Sequence, residues 1–186
     1  PALTITSDKN LLNQTINTTK KFEKNKKRFI IFGTGGSNLG ARALINISPE
    51  KLDKKIYFYD NIDPIFFEKS LSNIDFNSTG FIFISKSGQT PEMLSQLGAI
   101  VQLASDNNSL LTFYSNSLII TQFKNSPLFN IAKKNNCLLL EHKEDIGGRY
   151  SIFSNVGMVP AIISGLDAKE IHRGAREVIE NDHKDN

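Results

Sequence analysis

With one cysteine in 186 residues, the chain cannot close a disulfide within itself, so its stability has to come from a packed core. A hydrophobic content of 39% is ample for that, and the length fits the ~100–200 residues of one ordinary domain. No apolar run approaches the ~20 residues of a membrane-crossing helix, and the first residues lack the charged-then-apolar pattern of a secretory signal. Neither an internal repeat nor a long linker is visible. The expectation is a cytoplasmic protein with no membrane partner. A basic stripe interleaved with aromatics is also missing. The net charge of +3 comes largely from Lys20, Lys21, Lys24, Lys26, Lys27 and Arg28, which read as a solvated helix face, so no nucleic-acid partner is expected. Cys137, in Asn136-Cys137-Leu138-Leu139-Leu140, reads as a small core residue in a strand. Histidine is scarce: His142 follows the fifth apolar run, His172 reads as a helix-surface residue, and His183 belongs to a polar end.

What the chain does have is alternation. Short β-branched or aromatic runs at 28–33, 55–59, 80–85, 109–114 and 137–140 predict five strands. Helix-length stretches at 36–47, 63–72, 91–104 and 126–135 separate them, with Asp63 before Pro64 and Thr90 before Pro91 in N-cap positions. A leading helix is expected over 10–25 and one or two closing helices over 155–181. Such alternation predicts an α/β fold, a parallel sheet covered on both faces.

Three loops carry the candidate chemistry. Ser85-Lys86-Ser87-Gly88-Gln89-Thr90 lies between a predicted strand and a predicted helix, where hydroxyls and backbone amides can surround a phosphate at the positive end of the helix. Gly33-Thr34-Gly35-Gly36-Ser37-Asn38-Leu39-Gly40 stands in the same strand-to-helix context. In an open parallel sheet ligands sit beyond the carboxyl ends of strands, where strand order reverses, so adjacency of strands one and three would turn both loops to one ligand. Gly147-Gly148-Arg149-Tyr150-Ser151 then places an always-charged guanidinium after two glycines that permit close backbone approach. Read alone, that triplet fits an Arg149 salt bridge to Asp145 or Glu144 at least as well as a role on substrate. Glu141, Glu144 and Asp145 read as solvated loop carboxylates.

Taken in order, the stretches at 33–40, 85–92 and 147–157 resemble the signatures of the glucose-6-phosphate isomerase (phosphoglucose isomerase) family, over roughly residues 28–182. The second stretch by itself indicates only a sugar-isomerase (SIS) domain, and the third narrows the resemblance. It implies a three-layer α/β/α, flavodoxin-like SIS domain with a five-stranded parallel sheet over 28–182, a leading helical segment over 1–27 and a polar tail at 183–186. It further implies that Ser85, Ser87 and Thr90 offer hydroxyls to a substrate phosphate, that Lys86 offers chiefly a backbone amide, and that Gly36, Ser37 and Gly148 lie against the sugar. Arg149 would stabilise the enediolate formed as a proton moves between C1 and C2. No cofactor and no metal are implied. The reaction is the interconversion of glucose 6-phosphate and fructose 6-phosphate, in a full-length protein expected to be a homodimer. In similar isomerases the general base is a glutamate in a second SIS domain, so this chain, which starts at Pro1 and stops at Asn186, is expected to be part of a longer protein and poor in catalysis alone. Two positions depart from the family habit: Thr34 stands where isoleucine is frequent, and Met93 where threonine is.

Two alternatives share some of these features. A phosphosugar-sensing module would use the same phosphate loop without turnover, although residues 1–27 have room for only one helix and hence for no helix-turn-helix. A dinucleotide-binding enzyme would use Gly33-Thr34-Gly35 with Asp60, but the third glycine of that spacing falls on Asn38.

Overall fold

Successive side chains of a strand point to opposite faces, and this alternation separates two cores in the computed structural model, which describes Ala2 and residues 4–47 and 54–182. In β1 (Arg28–Phe32), Ile30 and Phe32 enter one core while Phe29 and Ile31 enter the other. Five strands form the sheet: β1, β2 (Lys55–Tyr59), β3 (Thr79–Ile84), β4 (Ser117–Thr121) and β5 (Leu138–Glu141). All neighbours are parallel, in the order β2-β1-β3-β4-β5. β3 and β4 are buried along their whole length, as central strands of a doubly covered sheet must be.

One face is covered by α3 (Pro64–Leu71), α4 (Pro91–Asp106), α5 (Leu110–Ser115) and α6 (Pro127–Lys134), which bring Leu71, Met93, Leu97, Ile100, Phe113 and Leu128 onto it. Phe32 and Phe83, cross-strand partners, stack there with ring centroids 4.6 Å apart. On the opposite face lie α1 (Lys9–Glu23) and α7 (Asn155–Ile163), contributing Phe22, Val156, Val159 and Ile163. A further cluster joins Leu12 of α1 and Leu44 of α2 (Gly36–Ile47) to Met158 of α7 and Ala168 of α8 (Ala168–Asp182). Asn155 ties this layer together. Its amide donates to the Glu141 carbonyl at 2.8 Å, and its oxygen accepts from the Thr15 hydroxyl.

Most predicted elements stand where expected, with one exception. The run 109–114 is not a strand but α5, and the fourth strand is Ser117-Leu118-Ile119-Ile120-Thr121. Within α5, Phe113 is fully buried against the rings of Phe76 and Phe81, whereas Leu111 is 87% exposed. That is helical spacing around one anchor, not strand alternation. Asp63 caps α3 as predicted, accepting from the amides of Ile65 and Phe66. Thr90 occupies the N-cap position of α4, but its side chain makes no capping bond.

The basic run also differs from its reading as one helix face. Lys20 and Lys21 lie in the last turn of α1, while Lys24, Lys26 and Lys27 follow the helix and Arg28 opens β1. His172 is buried rather than on the surface. Its Nε2–H donates to the Phe153 carbonyl at 2.9 Å, and its ring meets that of Phe153 edge-on. Cys137 is buried just ahead of β5, where loss of solvation pushes its thiol up to about 11. His183 and the polar tail lie outside the described residues. Among the described residues no helix is long and apolar enough to cross a membrane, and no group of three histidine, cysteine or acidic side chains could hold a metal.

Candidate active site

The chain runs outward from β1 to β2 and then returns to place β3 on the other side of β1. Strand order therefore reverses between β1 and β3, and the loops leaving these two strands stand side by side, as the ligand rule for such sheets requires. A cavity of about 320 Å³ opens there, lined by Thr34, Gly36, Ser37, Lys86, Ser87, Thr90, Gln122 and Gly148. Four separate stretches of sequence, the three candidate loops and Gln122 just past β4, thus converge on one space.

The loop after β3 is built to present donors. Gly88, at φ +65°, has the left-handed backbone that lets the chain turn, and a side chain there would press on the Ser126 hydroxyl at 2.3 Å. The Gly88 amide donates to the Ser85 hydroxyl at 3.1 Å, and that hydroxyl lies 2.8 Å from the Thr90 hydroxyl. Ser85 is 3% exposed and sits beneath the loop, whereas Ser87 and Thr90 reach the cavity wall. If Ser85 donates to Thr90, the Thr90 proton is left for a ligand oxygen, polarised by the two bonds behind it. The Lys86 carbonyl accepts from the Gln122 amide at 3.1 Å, which fixes the loop to the end of β4. The amides of Lys86, Ser87 and Thr90 have no acceptor among the described residues, and α4 begins with Pro91, which has no amide to satisfy. Three amides, two hydroxyls and the positive end of a sixteen-residue helix are a suitable setting for an anion.

Facing this loop, the first glycine stretch starts α2 at Gly36 and is in direct contact with the third stretch. A β-carbon on Gly36 would lie 2.3 Å from the Gly148 carbonyl carbon and 2.7 Å from the Arg149 nitrogen. The Ser151 hydroxyl bonds the Gly148 carbonyl at 2.6 Å and lies 3.4 Å from the Gly36 carbonyl, holding a 3-10 turn (Gly148–Tyr150) against α2. Arg149 is exposed at the rim. It makes no ion pair among the described residues: Glu144 pairs with Lys124, and the Asp145 alternative is not realised.

Six of the eight predicted site residues, Gly36, Ser37, Lys86, Ser87, Thr90 and Gly148, thus line one cavity. Ser85 lies behind it and Arg149 beside it. Thr34 and Gln122 line it as well and were missed. Gln122 carried a readable signal, the first polar residue past a buried strand, but it was hidden while that strand was placed at 109–114. His142 does not reach the cavity. It is fully buried, its Nδ1 is 3.3 Å from the Lys143 carbonyl, and its Nε2 has no partner. Burial, with a smaller contribution from the nearby Lys86 charge, holds it below the ordinary imidazole value. Asp60, the acidic residue of the dinucleotide alternative, is engaged by Arg42 at 2.9 Å. No carboxylate among the described residues lines the cavity. A larger apolar groove of about 560 Å³ between α3 and α4 lies away from the glycine loops and holds none of these groups.

Comparison with known proteins gives the same direction. The phosphoglucose isomerase family model matches residues 11–184. A probable glucose-6-phosphate isomerase of Methanococcus maripaludis is 34% identical over 163 residues, covering 85% of this chain and 36% of that protein. The glucose-6-phosphate isomerase of Methanocaldococcus jannaschii is 37% identical over 153 residues, covering 80% and 36% respectively. The chain thus spans little more than a third of these relatives' length. Among solved structures, a hypothetical protein from Thermus thermophilus superposes with a TM-score of 0.89 at 24% identity, over 96% of this chain and 42% of that one. A glucose-6-phosphate isomerase from Chlamydia trachomatis superposes with a TM-score of 0.72, also at 24% identity, over 88% and 31%. At that identity the two superpositions speak for the fold.

Proposed function

The chain belongs to the phosphoglucose isomerase family, and from that premise we propose that its cavity is the phosphosugar-holding half of a site that interconverts glucose 6-phosphate and fructose 6-phosphate. The observation that carries the reading is the convergence of Gly36 and Ser37, Lys86, Ser87 and Thr90, and Gly148 on one space beyond β1 and β3. The loop at 85–90 holds the phosphate through the amides of Lys86, Ser87 and Thr90 and the hydroxyls of Ser87 and Thr90. Ser85 acts through Thr90, fixing its hydroxyl from below. Gly36, Ser37 and Gly148 bound the sugar.

Isomerisation then needs a base to remove the C2 proton, stabilisation of the resulting enediolate, and return of the proton at C1. Arg149, without a carboxylate partner among the described residues and next to Gly148, is the group we assign to the developing oxyanion, since a guanidinium offers a fixed fork of charged donors to such oxygens. The base is not among the residues lining the cavity. We therefore place it in a further part of the full-length protein, a homodimer of the cytoplasm, with residues 28–182 as the SIS unit and α1 packed on it. Loss of a general base alone typically forfeits ~10²–10⁴-fold in rate.

A calorimetric titration with fructose 6-phosphate tests this, with fructose, inorganic phosphate and NAD as controls. Fructose 6-phosphate is expected to bind more tightly than orthophosphate, and neither fructose nor NAD to bind. A folded protein that binds NAD, or fructose as well as its phosphate, would remove the assignment. The sensing alternative has one observation in its favour, that no carboxylate among the described residues lines the cavity. Turnover by a full-length protein carrying this segment would exclude it.

A further inference from the structure

The strands enter the sheet at the edge opposite the candidate site, roughly 15 Å away for five residues at about 3.3 Å each. A second polar cavity opens there, of about 520 Å³, lined by Lys26, Lys27, Arg28, Lys54 and Lys55. Three of these residues come from the approach to β1 and two from the start of β2, and the register sets Arg28 directly against Lys55. Like charges facing across a strand pair destabilise it. Nothing in the sheet itself calls for cations at this place.

Among the described residues, Glu23 and Asp75 are the carboxylates close by. Glu23 bonds Lys54 at 2.5 Å. Asp75, also in the lining, accepts from the Ser78 hydroxyl at 2.5 Å and the Asn77 amide at 3.0 Å, bonds that hold its carboxyl below the ordinary range, so it stays ionised and sets one negative charge against the cations of the cavity. That leaves Lys26, Lys27, Arg28 and Lys55 without a carboxylate partner among the described residues. Lys26 is half-buried over the Phe22 ring, 5.1 Å from its centroid, and loss of solvation lowers its pKa. An ammonium in that position gains from an anion more than a solvated surface lysine does.

We propose that this amino-edge cavity binds a compact polyphosphate anion, either free or as the phosphate tail of a nucleotide. Its volume lies in the ~300–1,000 Å³ range of small-ligand sites, larger than one phosphate requires. Four cations with no carboxylate partner among the described residues, converging on one cavity, suit several linked phosphates better than a single one. The cations are gathered in a concavity, not drawn out along a groove, and this favours a small ligand over a nucleic-acid strand.

The test is a calorimetric titration of the purified protein, at about 0.1 M salt, with tripolyphosphate, ATP, orthophosphate and a single-stranded oligoribonucleotide. Four proteins are compared: the parent, Lys27→Gln with Lys55→Gln, Lys27→Arg with Lys55→Arg, and Thr90→Val. Both lysines are exposed, so the paired variants are expected to fold, which circular dichroism checks. Expected results are one tight tripolyphosphate site per chain, distinct from any weaker occupancy of the 85–90 loop, with its affinity lower by about tenfold or more in the glutamine pair (1.4 kcal/mol per decade), recovered in the arginine pair, and unchanged in Thr90→Val. ATP matching tripolyphosphate would assign a nucleotide tail, and weaker ATP a free polyphosphate. The proposal is overturned by absence of saturable binding, by binding lost in Thr90→Val but kept in the glutamine pair, or by tighter binding of the oligoribonucleotide with the same lysine dependence. Because the Thr90 variant reports on the phosphosugar site alone, failure of either assignment can be recognised separately.

Discussion

Replacing Gly36 with alanine probes the contact on which the composite site depends. The added methyl would stand 2.3 Å from the Gly148 carbonyl carbon, 2.6 Å from its oxygen and 2.7 Å from the Arg149 nitrogen, whereas ordinary contact begins near 3.4 Å. All three atoms are backbone, so no side chain can rotate away and the two loops must separate by about 1 Å. The Gly148 side is poorly free to yield. Ser151 pins it at 2.6 Å, and the chain continues at once into α7, eight of whose nine residues are buried. Overpacking of this kind costs about 1–3 kcal/mol. The better helix propensity of alanine returns less than about 1 kcal/mol, at a helix start where propensity counts least. A net loss of about 1–2 kcal/mol is expected, which for a chain of this size lowers Tm by roughly 2–8 °C. A displacement of about 1 Å at Arg149 can cost as much as ~100-fold in turnover of a full-length protein. Urea unfolding reads the first effect, and titration with fructose 6-phosphate beside orthophosphate reads the geometry. Sugar-phosphate binding should weaken while orthophosphate binding stays the same, because the loop at 85–90 is untouched. A variant with parental stability and parental sugar-phosphate affinity would refute the contact.

Thr90→Val should weaken fructose 6-phosphate and orthophosphate by the same factor, since a lost hydrogen bond to a charged oxygen is worth ~1.5–3 kcal/mol; a loss confined to the sugar-bearing ligand, seen by the same calorimetry, would move Thr90 off the phosphate. In a full-length protein Arg149→Lys should depress kcat more than it raises KM, because the oxyanion exists chiefly in the transition state; steady-state kinetics showing a pure KM effect would place Arg149 on the ground-state substrate. His142 and His172 are both held below 6.5 by burial, so they are neutral in the fold and take up protons more readily once unfolded. Their contribution to stability is complete above pH 6.5 and declines as the pH falls below it toward the lowered native values; urea midpoints measured across that range should fall, and His172→Gln should flatten the slope. Cys137, buried with its thiol raised to about 11, should resist a thiol reagent in the native protein and react on unfolding; fast labelling of the folded chain would contradict its placement.

The alternation of apolar runs with helix-length stretches was enough to read a parallel α/β sheet, because a strand buried on both faces needs a continuous apolar run and glycine-rich or serine-rich turns mark where it ends. Four strands and the helices between them were placed to within a residue or two. The error at 109–114 came from composition: Leu110, Leu111, Phe113 and Tyr114 are as compatible with a strand as with a short helix. Packing decided between them, since Phe113 had one aromatic pocket to fill while Leu111 could remain in solvent. His172 was misread for a related reason. It was read as a helix-surface residue, but α8 turns that position toward Phe153.

Glycine, serine and threonine at a strand-to-helix junction mark a turn and a helix start as readily as a ligand site, so it was the order of the three motifs along the chain that pointed to the family. Strand order, a long-range property of the sheet that no local pattern encodes, set the loops carrying Gly36 and Lys86, Ser87 and Thr90 side by side, and the packing of the turn at Gly148 against Gly36 added the third stretch. Tertiary structure likewise drew Ser85 beneath the loop, left Arg149 without a carboxylate among the described residues, and gathered cations from two strands at the far edge. Each of these outcomes depends on which segments become neighbours, and that is decided by the burial of two apolar faces at once.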